Sequence, residues 1–136
     1  MSFQPYFYEE KKMQVEECYQ LFKGSYEDVK SRLLKDELIR RLVVKFLADP
    51  SYDRLAAAME QKDYGEAFRA VHTLKGVSQN LSFDCLSEST HLMTEALRQW
   101  ESTPVDEEAC EKLWKQVSAD YALVAEAIRK LAEADE

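Results

Sequence analysis

The sequence predicts an all-α protein: an antiparallel up-down four-helix bundle with extra N-terminal helices covering one end. Three observations carry that reading. Only three glycines and three prolines occur in 136 residues, while alanine, leucine, glutamate and lysine are plentiful, a composition that favours helix almost throughout. Apolar residues recur three and four apart in stretch after stretch, and no strand-like alternation appears. The stretches are joined by short junctions of cap and stop residues, and helices so joined bury their apolar stripes best against antiparallel neighbours. A chain of this length forms one core. Within it we read an N-terminal arm with short helices, residues 1–35, and the bundle proper, residues 36–136.

Residues 1–7 read as an extended arm. A first helix is expected from Tyr8 to Phe22, with Met13, Cys18, Leu21 and Phe22 available for burial, ended by Lys23-Gly24 because Gly24 can take the left-handed conformation. Ser25 is an N-cap with Asp28 as its acidic partner, opening a short helix from Tyr26 to Leu34. Asp36 caps the next helix, whose residues Leu38, Leu42, Phe46 and Ile39, Val43, Leu47 form a wide apolar stripe. Arg40, Arg41 and Lys45 read as its solvated face. Asp49-Pro50 stops it, since the residue before proline avoids the helical region. Ser51 restarts the chain, and Tyr52 to Gln61 form a helix with Leu55, Ala56 and Met59 inward. Lys62-Asp63 is a tight junction, with Asp63 capping the helix that follows. That helix is broken at Leu81-Ser82-Phe83-Asp84, and Ser82 or Asp84 caps the next, which runs to Trp100 with Leu86, Ser89, Met93, Ala96, Leu97 and Trp100 inward. Thr103 caps a long final helix with Pro104 in its first position, running to Ala132. Its stripe is Ala109, Leu113, Val117, Tyr121, Val124, Ile128 and Leu131, and Asp106-Glu107-Glu108 supply the negative charge favoured near a helix N-terminus. Trp100 and Trp114 read as core or core-edge residues.

The helix between Asp63 and Leu81 holds the candidate site. At about 100° per residue, Ala67, Ala70, Val71, Leu74, Val77, Ser78 and Leu81 share one buried side, and His72 lies about 160° from its centre. Arg69, Lys75, Gly76 and Gln79 fall around His72, with Gly65 two turns before it. Glycine inside a helix costs about 1 kcal/mol relative to alanine, so Gly65 and Gly76 need a reason, and we read them as clearing the surface for a bulky group. A lone surface histidine has no necessary duty, but these surroundings suit one. A neutral imidazole nitrogen, available near neutral pH, is a nucleophile that forms covalent intermediates. Lys75 can meet charge on the ring, and Arg69 and Gln79 can add hydrogen bonds. An exposed nucleophile beside cations suits phosphoryl transfer, where positioning and electrostatics supply most of the catalysis.

The segment His72-Thr73-Leu74-Lys75-Gly76-Val77-Ser78, closed by Leu81, resembles the signature of histidine-containing phosphotransfer (Hpt) domains, of the stand-alone bacterial type. The likeness continues through Leu86, Met93 and Arg98 and covers about residues 36–132. It implies a phosphorelay protein of a two-component system. His72 would be the phosphoacceptor, taking a phosphoryl group from an aspartyl phosphate on a receiver domain and passing it to another receiver aspartate. Lys75 would neutralise phosphoryl charge, Gly76 would leave room for the partner, and Phe68 and Arg98 would support it. The receiver would bring the metal ion, usually Mg2+, and this chain would hold no cofactor and have no kinase activity of its own. Two positions depart from the family pattern. Ser82 stands where a glycine is usual, so that the turn needs another device such as serine capping. Thr94 stands where many relatives have a glutamine that holds the histidine ring, leaving Glu95, a main-chain carbonyl or water to orient it. Competing readings are a helical-bundle interaction module that binds receivers without being phosphorylated, and the phosphotransfer domain of a chemotaxis-type kinase. The retained histidine argues against the first and the lack of a catalytic segment against the second.

Composition excludes other classes. The net charge of −8 opposes a nucleic-acid partner. No apolar run reaches the 18 residues of a membrane span. Cys18, Cys85 and Cys110 lack zinc-ligand spacing and an even count, so they read as small apolar residues in a reducing compartment. His91, on another helix, reads as a plain surface residue, and no metal site is expected. The expected protein is a cytoplasmic monomer.

Overall fold

The computed structural model describes residues 12–133, and all of their regular structure is helical. In chain order the elements are α1 (Val15–Leu21), α2 (Tyr26–Leu33), α3 (Asp36–Lys45) continued by a 3-10 turn (Phe46–Ala48), α4 (Ser51–Glu60), α5 (Tyr64–Asn80), α6 (Asp84–Leu97) and α7 (Glu107–Glu133). Consecutive helices α4 to α7 pack on one another, and α4 closes back on α7 through Tyr52, which stacks on Tyr121 at 3.8 Å and on Trp114 at 5.5 Å. The arm expected at residues 1–7, and the part of the first helix expected before residue 12, lie outside the described residues.

The four bundle helices are not of comparable length. At 1.5 Å per residue the 27 residues of α7 span about 40 Å and the 14 of α6 about 21 Å. The second half of α7 therefore runs on past the α5–α6 turn. Its apolar residues Val124, Ala125, Ala127, Ile128 and Leu131 are buried there, and α1 and α3 are the elements packed on α7. Val15, Cys18, Tyr19 and Phe22 from α1 with Ile39 and Val43 from α3 join the same core. At its centre the rings of Tyr19, Phe22, Phe46 and Phe83 meet at centroid distances of 5.1–5.9 Å. Aromatic pairs in tilted and edge-to-face geometry add to the stability supplied by burial.

Several junctions differ from the sequence expectation. Residues 12–14 are not helical, and α1 starts where the Gln14 amide donates to Glu17 Oε1 at 3.1 Å. Leu21 is exposed rather than buried. Past α1 the left-handed residue is Lys23 (φ 55°), not Gly24. Gly24 instead donates its amide to the Tyr19 carbonyl at 3.0 Å, a Schellman closure, and any Cβ there would collide with the Phe22 ring. Ser25 caps α2 as expected, accepting from the Asp28 amide at 3.4 Å. The Asp28 carboxylate, however, turns to Arg32 and Ser82 instead of back to Ser25. Leu34 has left the helix at φ 68°. Asp36 is the first residue of α3 rather than its cap, with its carboxylate accepting from Lys30 Nζ at 2.8 Å and from the Tyr26 hydroxyl. Arg40 is no solvated residue: its guanidinium donates to the Met13 carbonyl at 2.6 Å, tying α3 to the chain before α1.

The α4–α5 junction follows the expectation, with Lys62 at φ 54° and Asp63 Oδ1 accepting from the Glu66 amide at 3.1 Å. Neither Ser82 nor Asp84 caps α6, whose N-cap position is Phe83. Helix α6 ends at Leu97 instead of Trp100. The amides of Arg98 and Trp100 reach back three residues rather than four, a tightening that takes Trp100 out of the helix. Ala96 is exposed, whereas Thr90 and Thr94 are buried and bonded to carbonyls one turn back. Helix α7 starts at Glu107 rather than Pro104, because Asp106 Oδ1 accepts from the Ala109 amide at 3.1 Å and so outcompetes Thr103 as cap. Ala109 consequently faces solvent.

Candidate functional site

Helix α5 presents the predicted stripe almost intact. Ala67, Ala70, Val71, Leu74, Ser78 and Leu81 are buried and Val77 is half-buried, which turns His72 outward to an exposed position. Phe68, one turn before it, is half-buried, with its ring near parallel to the imidazole: the planes meet at 11° with centroids 6.1 Å apart. Lys75 and Gly76 follow one turn later. Lys75 makes no ion pair or hydrogen bond with any described residue, so its ammonium stays available near His72. A Cβ built on Gly76 would meet nothing within 4 Å, so the space above the helix there is open.

The remaining predicted residues are less central. Arg69 is exposed and paired with Glu66 at 3.2 Å. Gln79 is exposed but lies about 10 Å further along the axis than His72. There it borders a shallow polar hollow with Asp84, Ser87, Glu88 and His91. His91 is exposed, as expected. Arg98, on α6, reaches the site through Phe68, with its guanidinium carbon 5.7 Å from that ring's centroid, a cation–π distance. The same guanidinium forks onto Glu95 at 3.0 and 2.9 Å. That hydrogen bonding is the main cause holding the Glu95 carboxyl below its ordinary range, with lesser help from the charges of Arg98, His91 and Lys75.

Gly65 does not clear the surface for a partner. It is buried, and a Cβ on it would stand 2.8 Å from the Trp100 ring. The helical wheel puts Gly65 under His72, but the chain after α6 lays the indole over that end. Thr94 does not touch the imidazole either. It is buried, and its hydroxyl donates to the Thr90 carbonyl at 2.7 Å. No described residue hydrogen-bonds either nitrogen of His72, Glu95 included.

Ser82 solves its turn by a route the sequence did not disclose. It takes the left-handed conformation itself, at φ 56°, which costs a non-glycine residue about 1–2 kcal/mol. Its hydroxyl donates to Asp28 Oδ2 at 2.6 Å and accepts from Arg32 Nη2 at 2.8 Å, and its carbonyl accepts from the Ser25 amide at 3.0 Å. Arg32 also donates to the Asn80 carbonyl at 2.6 Å, and the Tyr19 hydroxyl to the Leu81 carbonyl at 2.6 Å. Thus α1 and α2 satisfy the carbonyls that end α5.

Among the described residues no group of three or more histidine, cysteine or acidic side chains is placed to hold a metal ion. The three thiols are free, and burial pushes each up to about 11, so none is a ready nucleophile. No helix among the described residues is long and apolar enough to cross a membrane.

The family model of the Hpt domain matches residues 47–134, well over half the chain. The chain belongs to the Hpt family. The match begins in the 3-10 turn before α4, later than residue 36, and contains the four helices α4 to α7. Hpt membership assigns the protein a phosphotransfer role in two-component signalling, where such domains typically meet receiver domains. No curated protein matches the chain, and no solved structure does.

Proposed function

We propose that this Hpt protein is a phosphorelay intermediate: His72 accepts a phosphoryl group from an aspartyl phosphate of one receiver domain and passes it to the aspartate of another. The observation that carries the reading is an exposed imidazole with no hydrogen-bond partner among the described residues, beside a Lys75 unpaired among them and the open space at Gly76, on the helix that bears the family signature. A lone pair on one ring nitrogen attacks phosphorus, the P–O bond to the aspartate breaks, and the carboxylate leaves with the bonding electrons. The other ring nitrogen holds its proton. Lys75 meets the equatorial phosphoryl oxygens, where the transition-state charge is spread. The receiver brings the divalent cation. Phe68 offers apolar contact to the docked receiver. Gly76, with no side chain, lets the receiver's site approach the ring.

The test is incubation with a phosphorylated receiver domain. Label on the chain that is acid-labile and base-stable, and absent from His72→Gln, is the expected result. No label on the wild type would overturn the relay, and label that persists in His72→Gln would move the acceptor elsewhere.

A further inference from the structure

The imidazole of a transfer histidine must be held so that one nitrogen faces the incoming phosphorus, because a misaimed nucleophile loses the advantage of proximity. Here the usual means of holding a ring is missing. No described residue hydrogen-bonds His72, and Thr94 is turned into its own helix. The aromatic neighbour of the imidazole, 6.1 Å away between centroids, is Phe68. Phe68 lies near parallel to it, Arg98 sits on Phe68, and Glu95 fixes Arg98 by a two-point fork. A column Glu95–Arg98–Phe68–His72 thus runs from α6 across to α5, each member held by the one before it.

The geometry points to Phe68 as the positioning residue of His72, setting the plane of the imidazole in place of a hydrogen bond, with the Glu95–Arg98 pair keeping Phe68 itself in place. This deepens the phosphotransfer reading and rests on it. It assigns Phe68 a duty apart from docking, one that acts even when no receiver is present. A planar side chain is required for it. An aliphatic residue of similar size keeps the apolar contact and loses the flat face.

The experiment uses phosphoramidate, a small donor that needs no docking surface. The imidazole lone pair forms the new N–P bond while the donor's P–N bond breaks and ammonia leaves with the electron pair. Phe68→Leu is expected to slow labelling of His72 about ten-fold, and Phe68→Tyr to label at close to the wild-type rate. Glu95→Gln, an exposed change that leaves the fold alone, is expected to slow labelling about two- to three-fold by loosening the column. A Phe68→Leu protein that labels at the wild-type rate would overturn the inference, as would a Phe68→Tyr protein as slow as Phe68→Leu. Should Phe68→Leu fail to fold, an unchanged rate in Glu95→Gln overturns it. If the wild type takes label from a phosphorylated receiver but not from phosphoramidate, an unchanged rate of receiver-driven labelling in Glu95→Gln overturns the inference; if it takes label from neither, the phosphotransfer reading falls.

Discussion

The two ends of the exposed side of α5 are finished in opposite ways. Around His72 the polar groups have few partners: among the described residues nothing hydrogen-bonds the imidazole or pairs with Lys75, and Gly76 faces open space. At the exit, two turns on, the main-chain carbonyls of Asn80, Leu81 and Ser82 and the Ser82 hydroxyl are taken, by Arg32, Tyr19, Ser25 and Asp28. A helix whose far end is tied can leave its working face bare without fraying, since helix ends lose order first where their carbonyls lack partners. The bare region serves transfer and the tied region serves stability, so substitutions in the two should separate those properties.

The largest effect expected is His72→Gln, which removes all acid-labile label yet leaves the unfolding free energy within about 0.5 kcal/mol of wild type, as for other exposed sites. Labelling assays and thermal denaturation check the two halves. The glycines sharpen the contrast. Gly65→Ala forces a methyl against the Trp100 indole, a rigid neighbour, and is expected to destabilise by about 1–3 kcal/mol. Gly76→Ala meets nothing and removes a helix-interior glycine, so it is expected to stabilise by about 0.5–1 kcal/mol while slowing transfer from a receiver and sparing labelling by phosphoramidate. Should both glycines prove equally costly to replace, the division of α5 into a working face and a packed face is wrong.

A finer test addresses the exit. If the Asp28–Ser82 bond helps to offset the left-handed backbone of Ser82, Asp28→Ala lowers the melting temperature in the wild type and lowers it less in Ser82→Gly, where the hydroxyl that donates to Asp28 is absent. Equal drops in both backgrounds would dissolve the link. The smallest effect is on pH. The Ser82 hydroxyl first, then Arg32, hold the Asp28 carboxyl below its ordinary value. Its folded pKa is depressed, so its contribution is complete above the ordinary carboxylate range and is lost as pH falls through the lower folded value. Acid denaturation of Asp28→Asn should accordingly show a weaker dependence on pH at the acid end than the wild type.

What was legible in the sequence was whatever neighbours along the chain determine. The stripe of α5, the Lys62-Asp63 junction and the outward aim of His72 depend on residues within a turn or two of each other, and all were read correctly. The misses around the site involve partners far apart. Helical periodicity places Gly65 and His72 on one side of α5 but is silent on Trp100 arriving from the end of α6. Ser82 was identified as a problem. Its solution comes from Asp28 and Arg32, about fifty residues earlier. Arg40 looked solvated because its acceptor, the Met13 carbonyl, carries no signature in the sequence. Some misses are local: Lys23 rather than Gly24 takes the left-handed position after α1, Asp36 opens α3 instead of capping it, and α7 is capped by Asp106, whose carboxylate accepts the Ala109 amide, instead of by Thr103.

The overlong final helix has a consequence for the order in which the molecule is completed. Contacts among α4, α5, α6 and α7 join near neighbours in the chain, so that part can collapse quickly. Helix α1 instead packs on α7, and the buried residues Val15–Phe22 and Val124–Leu131 lie about a hundred residues apart. During synthesis α1, with α2 beside it, must therefore wait for the last turns of α7 to emerge before its apolar face is fully covered. The bonds that tie off the site helix come from those waiting helices, so the exit of α5 is set in its final form only when the chain closes on itself.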